Sequence, residues 1–379
     1  MEWVRIGIDA SLARARSSGT GRYAAGLLDA LLAADRDNDY VLYFRRADVR
    51  ENPFFPPREN VRVRVTDAPL TLLRIHANLS VALRCDRVDL YHSLGFFLPA
   101  LWWGTKVVTI HDLHTFILNE YWWQPGLRIS SLMLRAHIPI AVAQARRIVT
   151  PSRYTRDTLC ERFRVSPERV VVAPAGVDSF FRTPPTPEEL AAADRRVGTE
   201  PFFLQVGALV PMKNLAGTIR TLGRVRSGGR LQTARLIVVG TPLRSAHARE
   251  LRALVARLGL SDAVTFTGYV DDRALRALYA RALALVAPSF GEGFGLPLVE
   301  AMACGTPIIA SNVTAMPEVA EDAALTVDPH DLDSLGEAME RVARDTTLRC
   351  DLAARGRQRA ARYTWERTAH EVLRAYREA

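Results

Sequence analysis

Short apolar runs alternate with amphipathic helical patterns along the whole chain. Each run is three to seven residues long, which fits a buried strand better than a helix. Strands that alternate with helices, with glycine turns at the strand ends, indicate parallel sheets whose ligands bind at the carboxyl ends of the strands. The runs lie at 4–9, 40–44, 61–65, 88–92, 106–110, 146–149, 170–172, 202–207, 235–239, 264–270, 283–287, 308–311 and 325–327.

A change in composition divides the chain near its middle. A chain of 379 residues is long for a single core, so two domains are expected. Residues 182–201 are rich in Pro, Ala and charge, which is typical of a hinge with a polar helix. The pattern predicts an α/β protein with two Rossmann-like, doubly wound domains facing each other across a deep cleft. The predicted boundaries are 1–178 for the N-terminal domain, 179–201 for the linker and 202–364 for the C-terminal domain.

The most informative stretch is residues 283–312, LALVAPSFGEGFGLPLVEAMACGTPIIASN. A strand runs into a glycine-rich loop, and a helix is predicted to begin at Pro297 and to end at Gly305. Free backbone N–H groups and the positive end of the helix dipole make such a junction an anion site. Carboxylates would not be placed there to bind a phosphate, so Glu292 and Glu300 are expected to bind hydroxyls. Glu300 lies about one turn into the helix, where it would accept ribose hydroxyls, and Glu292 would meet a sugar. The predicted ligand is a nucleoside diphosphate sugar.

The motif EGFGLPLVEAMACGTP within this stretch resembles the acidic signature of glycosyltransferase family 4, also called glycosyl transferases group 1. Members of that family are retaining, nucleotide-sugar-dependent enzymes with the GT-B fold. The resemblance implies that Glu292 lies by the donor sugar and that Glu300 holds the ribose. The donor diphosphate would be held by the loop residues Gly293, Phe294, Gly295 and Leu296. The alternative is that Glu292 only complements a helix dipole and that Glu300 is a solvated helix residue.

Lys213 stands directly before a predicted helix that Asn214 would cap. A cation beside the positive end of a helix is disfavoured unless an anion neutralises it, which indicates a phosphate contact. The resemblance agrees, because the family places a lysine here against the donor diphosphate. The family usually adds an arginine, either after the strand glycine or directly before the lysine, where this chain has Ala208 and Met212. The identity of the second phosphate ligand therefore stays open.

His111 follows the apolar strand 106–110 in the sequence HDL, at a carboxyl end where catalytic groups of such sheets collect. Histidine can donate to a sugar hydroxyl or take part in proton transfer near neutral pH. A lone histidine is more often structural. The resemblance places this position by the donor sugar and the acceptor, and so predicts that His111 and Glu292 are the catalytic residues.

Two further loops carry candidates: an acceptor-side loop with Gly19, Gly21, Arg22 and Tyr23, and a base-side turn with Tyr269 and Val270. The first follows the opening strand and is similar to a family loop that ends in GRY and faces sugar and acceptor. Its glycines are explained equally well by a tight turn. The second is similar to the family turn that lies beside the base, where backbone groups would read the base edge.

The net charge is +9 and is weighted toward the N-terminal half. Residues 1–180 contain 24 Lys and Arg against 18 Asp and Glu, and the remainder 26 against 23. Such a bias would suit an anionic donor or an anionic membrane surface, although an arginine-rich source genome explains it equally well. A helical pattern at 70–83, with Arg74, His76 and Arg84 on or near it, is compatible with lipid contact and with an ordinary packed helix. No nucleic-acid-binding motif is present, so no nucleic-acid partner is expected.

The expected compartment is the cytoplasm, or the inner face of the membrane if the basic half touches lipid. No apolar run approaches the roughly 18 residues needed to span a bilayer. The four cysteines are scattered without metal-ligand or redox spacing and fit a reducing compartment. No metal site is predicted, and no cofactor beyond the nucleoside diphosphate sugar, which is a substrate.

Together with these features, the resemblance implies a metal-independent, retaining hexosyltransferase. It would move a mannosyl- or glucosyl-type unit to a saccharide, lipid-linked or small-molecule acceptor, in cell-surface glycan or glycoside biosynthesis. In the resembled fold the C-terminal helix, here 365–379, crosses back to the N-terminal domain. The alternative is a degenerate protein of the same fold that binds sugar nucleotides or acts as a scaffold without transfer, which the missing arginine would explain. The donor base and sugar, the acceptor, the linkage and the oligomeric state stay open.

Overall fold

The computed structural model of the chain describes residues 4–14, 18–46, 58–118, 128–229, 231–240 and 246–379. Backbone contacts divide the chain into two compact units. The first unit comprises Met1–Gly176 together with Thr364–Ala379, and the second comprises Val177–Tyr363.

The first unit is built on a parallel sheet of seven described strands in the order β3-β2-β1-β4-β5-β6-β7. Because the order reverses between β1 and β4, the crevice at their carboxyl ends is the expected ligand position of this sheet. The strands are β1 (Arg5–Asp9), β2 (Asp39–Phe44), β3 (Val61–Val65), β4 (Leu90–Ser93), β5 (Thr105–Thr109), β6 (Arg147–Thr150) and β7 (Val170–Val172).

The helices of the first unit include one irregular stretch. Residues 71–85 form α2 (Thr71–Leu73), a π-helical segment (Arg74–Asn78) and α3 (Leu79–Cys85) without a break. Short 3-10 segments are Ala10–Arg14 and Pro167–Arg169. The other helices are α1 (Gly19–Ala34), α4 (His114–Ile117), α5 (Arg128–Gln144), α6 (Arg153–Phe163) and the C-terminal α15 (Trp365–Arg377).

The second unit repeats the plan with six described parallel strands in the order β10-β9-β8-β11-β12-β13. Here the order reverses between β8 and β11, which pair directly in the sheet. The strands are β8 (Phe202–Val206), β9 (Arg235–Val239), β10 (Val264–Gly268), β11 (Ala284–Ala287), β12 (Ile308–Ser311) and β13 (Ala324–Val327).

One helix, α7 (Pro187–Val197), precedes the first strand of the second unit, and the others follow its strands. The others are α8 (Leu215–Ser227), α9 (Ala246–Arg257), α10 (Asp272–Arg281), α11 (Leu296–Cys304), α12 (Met316–Ala320), α13 (Leu332–Arg344) and α14 (Thr346–Ala360). The 3-10 segments are Ser179–Arg182, Pro211–Lys213 and Glu321–Ala323. None of the described helices of either unit has both the length and the apolarity that crossing a bilayer requires.

The central strands are buried on both faces, as their uninterrupted apolar runs predicted, whereas the edge strand β3 is largely exposed. Ile6 and Ile8 of β1, and Leu204 of β8, are at most 1 % exposed. A parallel sheet needs this burial because crossover helices cover both of its faces. The prediction of two doubly wound, Rossmann-like domains is confirmed.

Residues 179–201 differ from the predicted linker, because they pack within the second unit. Thr186 and Glu189 form a capping box at the start of α7. The Glu189 carboxylate also forms an ion pair with Arg276 of α10, whose side chain is almost fully buried. The Pro- and charge-rich composition therefore marks a capped, ion-paired surface helix.

Candidate active site

In the second unit, the segments that leave β8 and β11 meet at the point where the strand order reverses. The segment after β8 carries Lys213, and the loop after β11 carries Glu292 and the glycines that precede α11. The predicted donor-site residues at 213 and 292–300 therefore belong to one edge of one sheet, at the position where open α/β sheets bind ligands.

The backbone around Lys213 is fixed on both sides. Asn214 is left-handed, with φ +52°, and its side chain caps α8 by accepting from Gly217 N at 3.2 Å. Gln205 Nε2 donates to Lys213 O at 2.8 Å. Gly207 has φ +145°, and a Cβ atom there would come within 3.2 Å of Lys213 Cε. Gly207 therefore provides the space through which the lysine side chain passes.

The Lys213 ammonium forms an ion pair with Glu292 Oε1, and the two side chains are only 21 % and 14 % exposed. Ser289 Oγ donates to the same carboxylate oxygen at 2.8 Å, and Glu292 N donates to Thr314 Oγ1 at 3.0 Å. The sequence argument required an anion beside Lys213 and assigned it to a phosphate. In the structure that anion is Glu292, so the charge of Lys213 by itself does not establish a phosphate contact.

Helix α11 begins one residue earlier than predicted, at Leu296, with Pro297 in its second position. Its N-cap is Gly295, whose φ of +93° favours glycine, and a Cβ atom there would lie 3.0 Å from Met316 Sδ. Pro297 has no N–H, and Leu298 N donates to Gly295 O at 2.9 Å. Neither Pro297 nor Leu298 therefore offers an N–H to an anion, so the predicted diphosphate contacts at Gly293, Phe294, Gly295 and Leu296 concern only residues before Pro297.

Glu300 is the fifth residue of α11 and is only 4 % exposed. Its Oε2 accepts a hydrogen bond from the Tyr279 hydroxyl at 3.0 Å. The alternative of a solvated helix residue is thus excluded, because a buried carboxylate is costly unless it has a specific partner or task. Tyr279 was not predicted as a site residue, since nothing in the sequence distinguishes it from the other apolar-face residues of α10.

The predicted base-side residues lie at the edge of the same sheet, after β10. Tyr269 is 52 % exposed, whereas Val270 is buried at 4 %. Strand β9 separates β10 from β8, and two strand spacings are about 10 Å. A nucleoside diphosphate has a comparable length, so one bound at the end of β8 would reach the exposed ring of Tyr269 after β10.

In the first unit, His111 follows β5 and its Nε2 lies 2.8 Å from Leu94 O, just after β4. A carbonyl only accepts, so Nε2 carries the proton. Burial lowers the pKa of His111 below its ordinary value of 6.5, because a desolvated imidazole resists protonation. The ring is therefore neutral near pH 7, with Nδ1 as the acceptor nitrogen.

The acceptor-side loop is the first turn of α1 rather than a tight turn. Gly19 is the first helical residue, and Ser18 caps the helix by accepting from Gly21 N at 3.1 Å. Gly19 is exposed, Gly21 is buried and Arg22 is half-buried. The loop therefore offers a capped helix N-terminus at the carboxyl end of β1, next to the point where the strand order reverses.

Tyr23 lies beneath this turn, not on its surface. It is 2 % exposed, its hydroxyl donates to Ala173 O at 3.4 Å, and its ring packs edge-on against Trp365 of α15. The ring also packs edge-on against His111 at 5.0 Å between centroids. Tyr23 therefore supports the His111 imidazole and offers almost no surface to an acceptor. Among the described residues, no group of three or more His, Cys, Asp or Glu side chains is placed to hold a metal ion.

Solved structures of the GT-B class share this fold. HepE from Anabaena, solved in complex with UDP and glucose, superimposes with a TM-score of 0.78 and 18 % identity, over 99 % of this chain and 100 % of that one. At this identity the likeness defines the class, two Rossmann-like domains of the GT-B type, and nothing more.

Two family descriptions match the chain in tandem and together cover most of it. Glycosyltransferase Family 4 matches residues 17–179, and Glycosyl transferases group 1 matches residues 187–359. The chain belongs to this family of glycosyltransferases. The predicted resemblance is therefore confirmed.

Curated relatives also support the family assignment, although they match over different shares of the chain. The O-antigen chain mannosyltransferase B of Escherichia coli is 29 % identical over 95 % of this chain and 96 % of its own. The D-inositol 3-phosphate glycosyltransferase of Acidothermus cellulolyticus is 35 % identical over 73 % of this chain, but the match spans only 63 % of that protein.

Proposed function

We propose that the protein is a retaining hexosyltransferase that moves a mannosyl- or glucosyl-type unit from a nucleoside diphosphate sugar. The acceptor would be a saccharide, a lipid-linked molecule or a small molecule in cell-surface glycan or glycoside biosynthesis. The observation that carries the proposal is the grouping of Lys213, Glu292 and the N-terminus of α11 where the strand order of the second sheet reverses. The name of the Escherichia coli relative, a mannosyltransferase, supports the hexosyl assignment.

In the proposed donor site, three groups of residues bind the diphosphate, the ribose and the base. Lys213 and the amides of residues 293–296 would hold the diphosphate. Glu300 would accept the ribose hydroxyls, with the Tyr279 hydroxyl fixing the carboxylate orientation through Oε2. Tyr269 and Val270 would flank the base.

Donor binding would change the partners of Lys213. In the structure its ammonium is neutralised by Glu292. A diphosphate placed at the α11 N-terminus competes with that carboxylate for the same cation. Glu292 is then released toward the sugar hydroxyls, which are the groups a carboxylate at this position would bind. The pair thereby links donor arrival to the positioning of the sugar.

In the transfer step, the bond between the anomeric carbon and the diphosphate oxygen breaks, and its electron pair leaves with the diphosphate. Lys213 and the loop amides stabilise the developing negative charge. The acceptor hydroxyl oxygen bonds to the same face of the oxocarbenium-like carbon, and its proton passes to the departing phosphate oxygen. Glu292 would hold sugar hydroxyls and balance the positive charge of the ring. Because a lysine and backbone dipoles neutralise the leaving group, this step requires no metal.

His111 would act as a neutral hydrogen-bonding group. Its Nε2–H is committed to Leu94 O, so Nδ1 would accept from a hydroxyl of the sugar or the acceptor. Protonation below the lowered pKa would remove this acceptor, which predicts loss of activity only in acid.

A second candidate is a degenerate protein of the same fold that binds sugar nucleotides without transferring them. Ala208 and Met212 occupy the positions where the family usually has an arginine, and this observation favours it. Tight donor binding without transfer or donor hydrolysis would establish this alternative.

The proposal is tested first by thermal unfolding with UDP, GDP, ADP and TDP and their common sugar conjugates. A ligand at about a hundred times its dissociation constant stabilises the folded state by about 2.7 kcal/mol. One nucleotide should stabilise the wild type and not Glu300→Ala. Glu337→Ala, which removes an exposed carboxylate from α13, should respond as the wild type does. Stabilisation of Glu300→Ala to the wild-type extent would place the nucleotide elsewhere.

A further inference from the structure

Exposed large apolar side chains are concentrated on the first unit. Six of them belong to the helical stretch 71–85, the residue that precedes it and the loop 94–104. They are Leu70, Leu72, Leu73, Val81, Leu101 and Trp103, which are 68, 38, 48, 57, 54 and 85 % exposed. Scattered single apolar residues are normal on a protein surface, but a contiguous group indicates an interaction site.

Hydrogen bonds join the loop to the helical stretch. The Arg84 guanidinium donates to Leu101 O, and Ala100 N donates to His76 Nδ1 at 3.3 Å. The two segments therefore lie side by side, and their exposed side chains form one surface. We call these six residues together the apolar face.

The helical stretch carries large apolar side chains on its exposed side as well as on its buried side, although the exposed side also includes Thr71, Asn78 and Arg84. Its inner side is the core-facing row Ile75, Leu79, Ala82 and Leu83, each at most 3 % exposed. Its outer side carries Leu72, Leu73 and Val81. Arg74 contributes nothing to the outer side, because it is buried and forms an ion pair with Asp9.

The loop presents Trp103 for a local steric reason. The neighbouring Trp102 is 4 % exposed and packs edge-on against Tyr91. A Cβ atom at Gly104 would lie 2.2 Å from the Trp102 ring, so the glycine makes room for that indole. With Trp102 anchored inside, Trp103 extends into solvent.

Helix α5 extends the surface on one side. Its His137 stacks on His76 at 6.1 Å between ring centroids. Two large apolar residues of α5, Leu132 and Ile140, are 60 % and 51 % exposed. The apolar face therefore continues onto a second helix.

The charge around the apolar face favours an anionic partner. Residues 71–85, 94–104 and 128–144 contain no Asp or Glu, although the chain has 41 of them. The first unit has 27 Lys and Arg against 20 Asp and Glu, a net charge of +7, whereas the second has 23 against 21, a net charge of +2. Arg84 lies beside the face and is exposed. One guanidinium nitrogen donates to Leu101 O, and the remaining N–H groups can reach a phosphate while the stem rests on apolar groups.

We propose that the apolar face docks on an anionic lipid bilayer. A bilayer surface accepts leucine and tryptophan side chains at the headgroup boundary and attracts arginine, but it repels carboxylates. The absence of carboxylates from all three segments fits this chemistry. The docking is independent of donor chemistry. If the proposed function also holds, docking favours the lipid-linked acceptor among the three acceptor classes.

The test is co-sedimentation of the full chain, without nucleotide, with vesicles of phosphatidylglycerol and phosphatidylcholine or of phosphatidylcholine alone. The wild type should bind the anionic vesicles more tightly. The variants Leu73→Ser and Trp103→Ser should each bind at least about tenfold more weakly, because each removes an apolar side chain from lipid. Arg84→Gln should weaken binding about fivefold. Brominated lipid should quench the wild-type tryptophan fluorescence, and Trp103→Phe should lose most of that quenching.

Matched controls come from the second unit. Leu258→Ser changes an exposed leucine at 42 % exposure, and Arg220→Gln removes an exposed arginine charge from α8. Both should bind vesicles as the wild type does. Unchanged unfolding temperatures would show that the face variants fold. Equal binding by face variants and controls, or no wild-type binding, would overturn the proposal. A wild-type dimer that Trp103→Ser converts to a monomer, without vesicle binding, would assign the face to self-association instead.

Discussion

Replacing Glu292 by glutamine should tighten the binding of a nucleoside diphosphate while slowing sugar transfer. The Glu292 carboxylate neutralises Lys213, and both side chains are largely buried. The amide keeps the shape and can still accept from Ser289 Oγ, but it no longer competes with phosphate for the ammonium. The variant therefore separates the electrostatic role of Glu292 from its packing.

The expected change in diphosphate affinity follows from the environment of the ion pair between Lys213 and Glu292. An exposed pair contributes about 0.2–1 kcal/mol, and this one lies at the upper end because the side chains are only 21 % and 14 % exposed. Removal of a competing interaction of about 1 kcal/mol should tighten diphosphate binding about fivefold. The turnover number should fall by about tenfold or more, since a hydrogen bond from a sugar hydroxyl to a charged group contributes about 1.5–3 kcal/mol.

Isothermal titration calorimetry with the nucleoside diphosphate, not the sugar nucleotide, isolates the first effect. Lys213→Met should abolish the gain when combined with Glu292→Gln, because no cation remains to be released. Glu337→Gln, a carboxylate change at an exposed position of α13, should leave affinity unchanged. Weaker or equal diphosphate binding by Glu292→Gln would refute the competition and leave Glu292 as a purely structural partner of Lys213.

Three further predictions follow from other contacts. Glu300→Gln should lower the free energy of unfolding by about 1–3 kcal/mol, because the Tyr279 hydroxyl loses a charged acceptor, and should weaken nucleotide binding in calorimetry. Gly207→Ala should destabilise the protein by about 1–2 kcal/mol, since its φ of +145° disfavours a Cβ atom, and the crowding of Lys213 Cε should weaken diphosphate binding; an unchanged dissociation constant would contradict this. His92 is held between Tyr376 and Thr109, and burial lowers its pKa from 6.5 to about 3. His92 therefore stays neutral in the folded protein at pH values where it is protonated in the unfolded chain. The stability it contributes is present above pH 6.5 and is lost toward pH 3, by up to about 1.4 kcal/mol per pH unit. Denaturant titrations of wild type and His92→Gln should show the steeper decline in the wild type.

The sheet, and the grouping of the candidate site residues at its carboxyl edge, could be predicted because both follow from local patterns. Apolar runs of strand length and glycine turns at their ends determine a doubly wound sheet, and the α11 junction is contiguous in sequence. The contact between Lys213 and Glu292 could not be predicted in the same way. It joins residues 79 positions apart and depends on β8 and β11 being neighbours in the sheet. The lysine therefore indicated an anion, but not that the protein itself supplies one.

The helical stretch 71–85 shows a second limit to what could be predicted from the sequence. Large apolar residues lie on both its buried and its exposed side, so periodicity does not tell which side faces solvent. The π-helical turn at Arg74–Asn78 also breaks the 3.6-residue spacing on which such an assignment rests. The exposure of Leu72, Leu73 and Val81 became visible only in the folded chain, and the proposed lipid docking rests on it.

The most direct test of the proposed function is proton NMR of the transfer reaction with the nucleotide sugar that the unfolding screen identifies. Wild-type protein with excess EDTA should give a product that keeps the anomeric configuration of the donor, while Lys213→Ala and Glu300→Ala should give little or none. An inverted anomeric configuration, or full turnover by both variants, would contradict the mechanism. Nucleotide binding without product or donor hydrolysis, over a panel of saccharide and lipid-linked acceptors, would instead establish the degenerate binding protein.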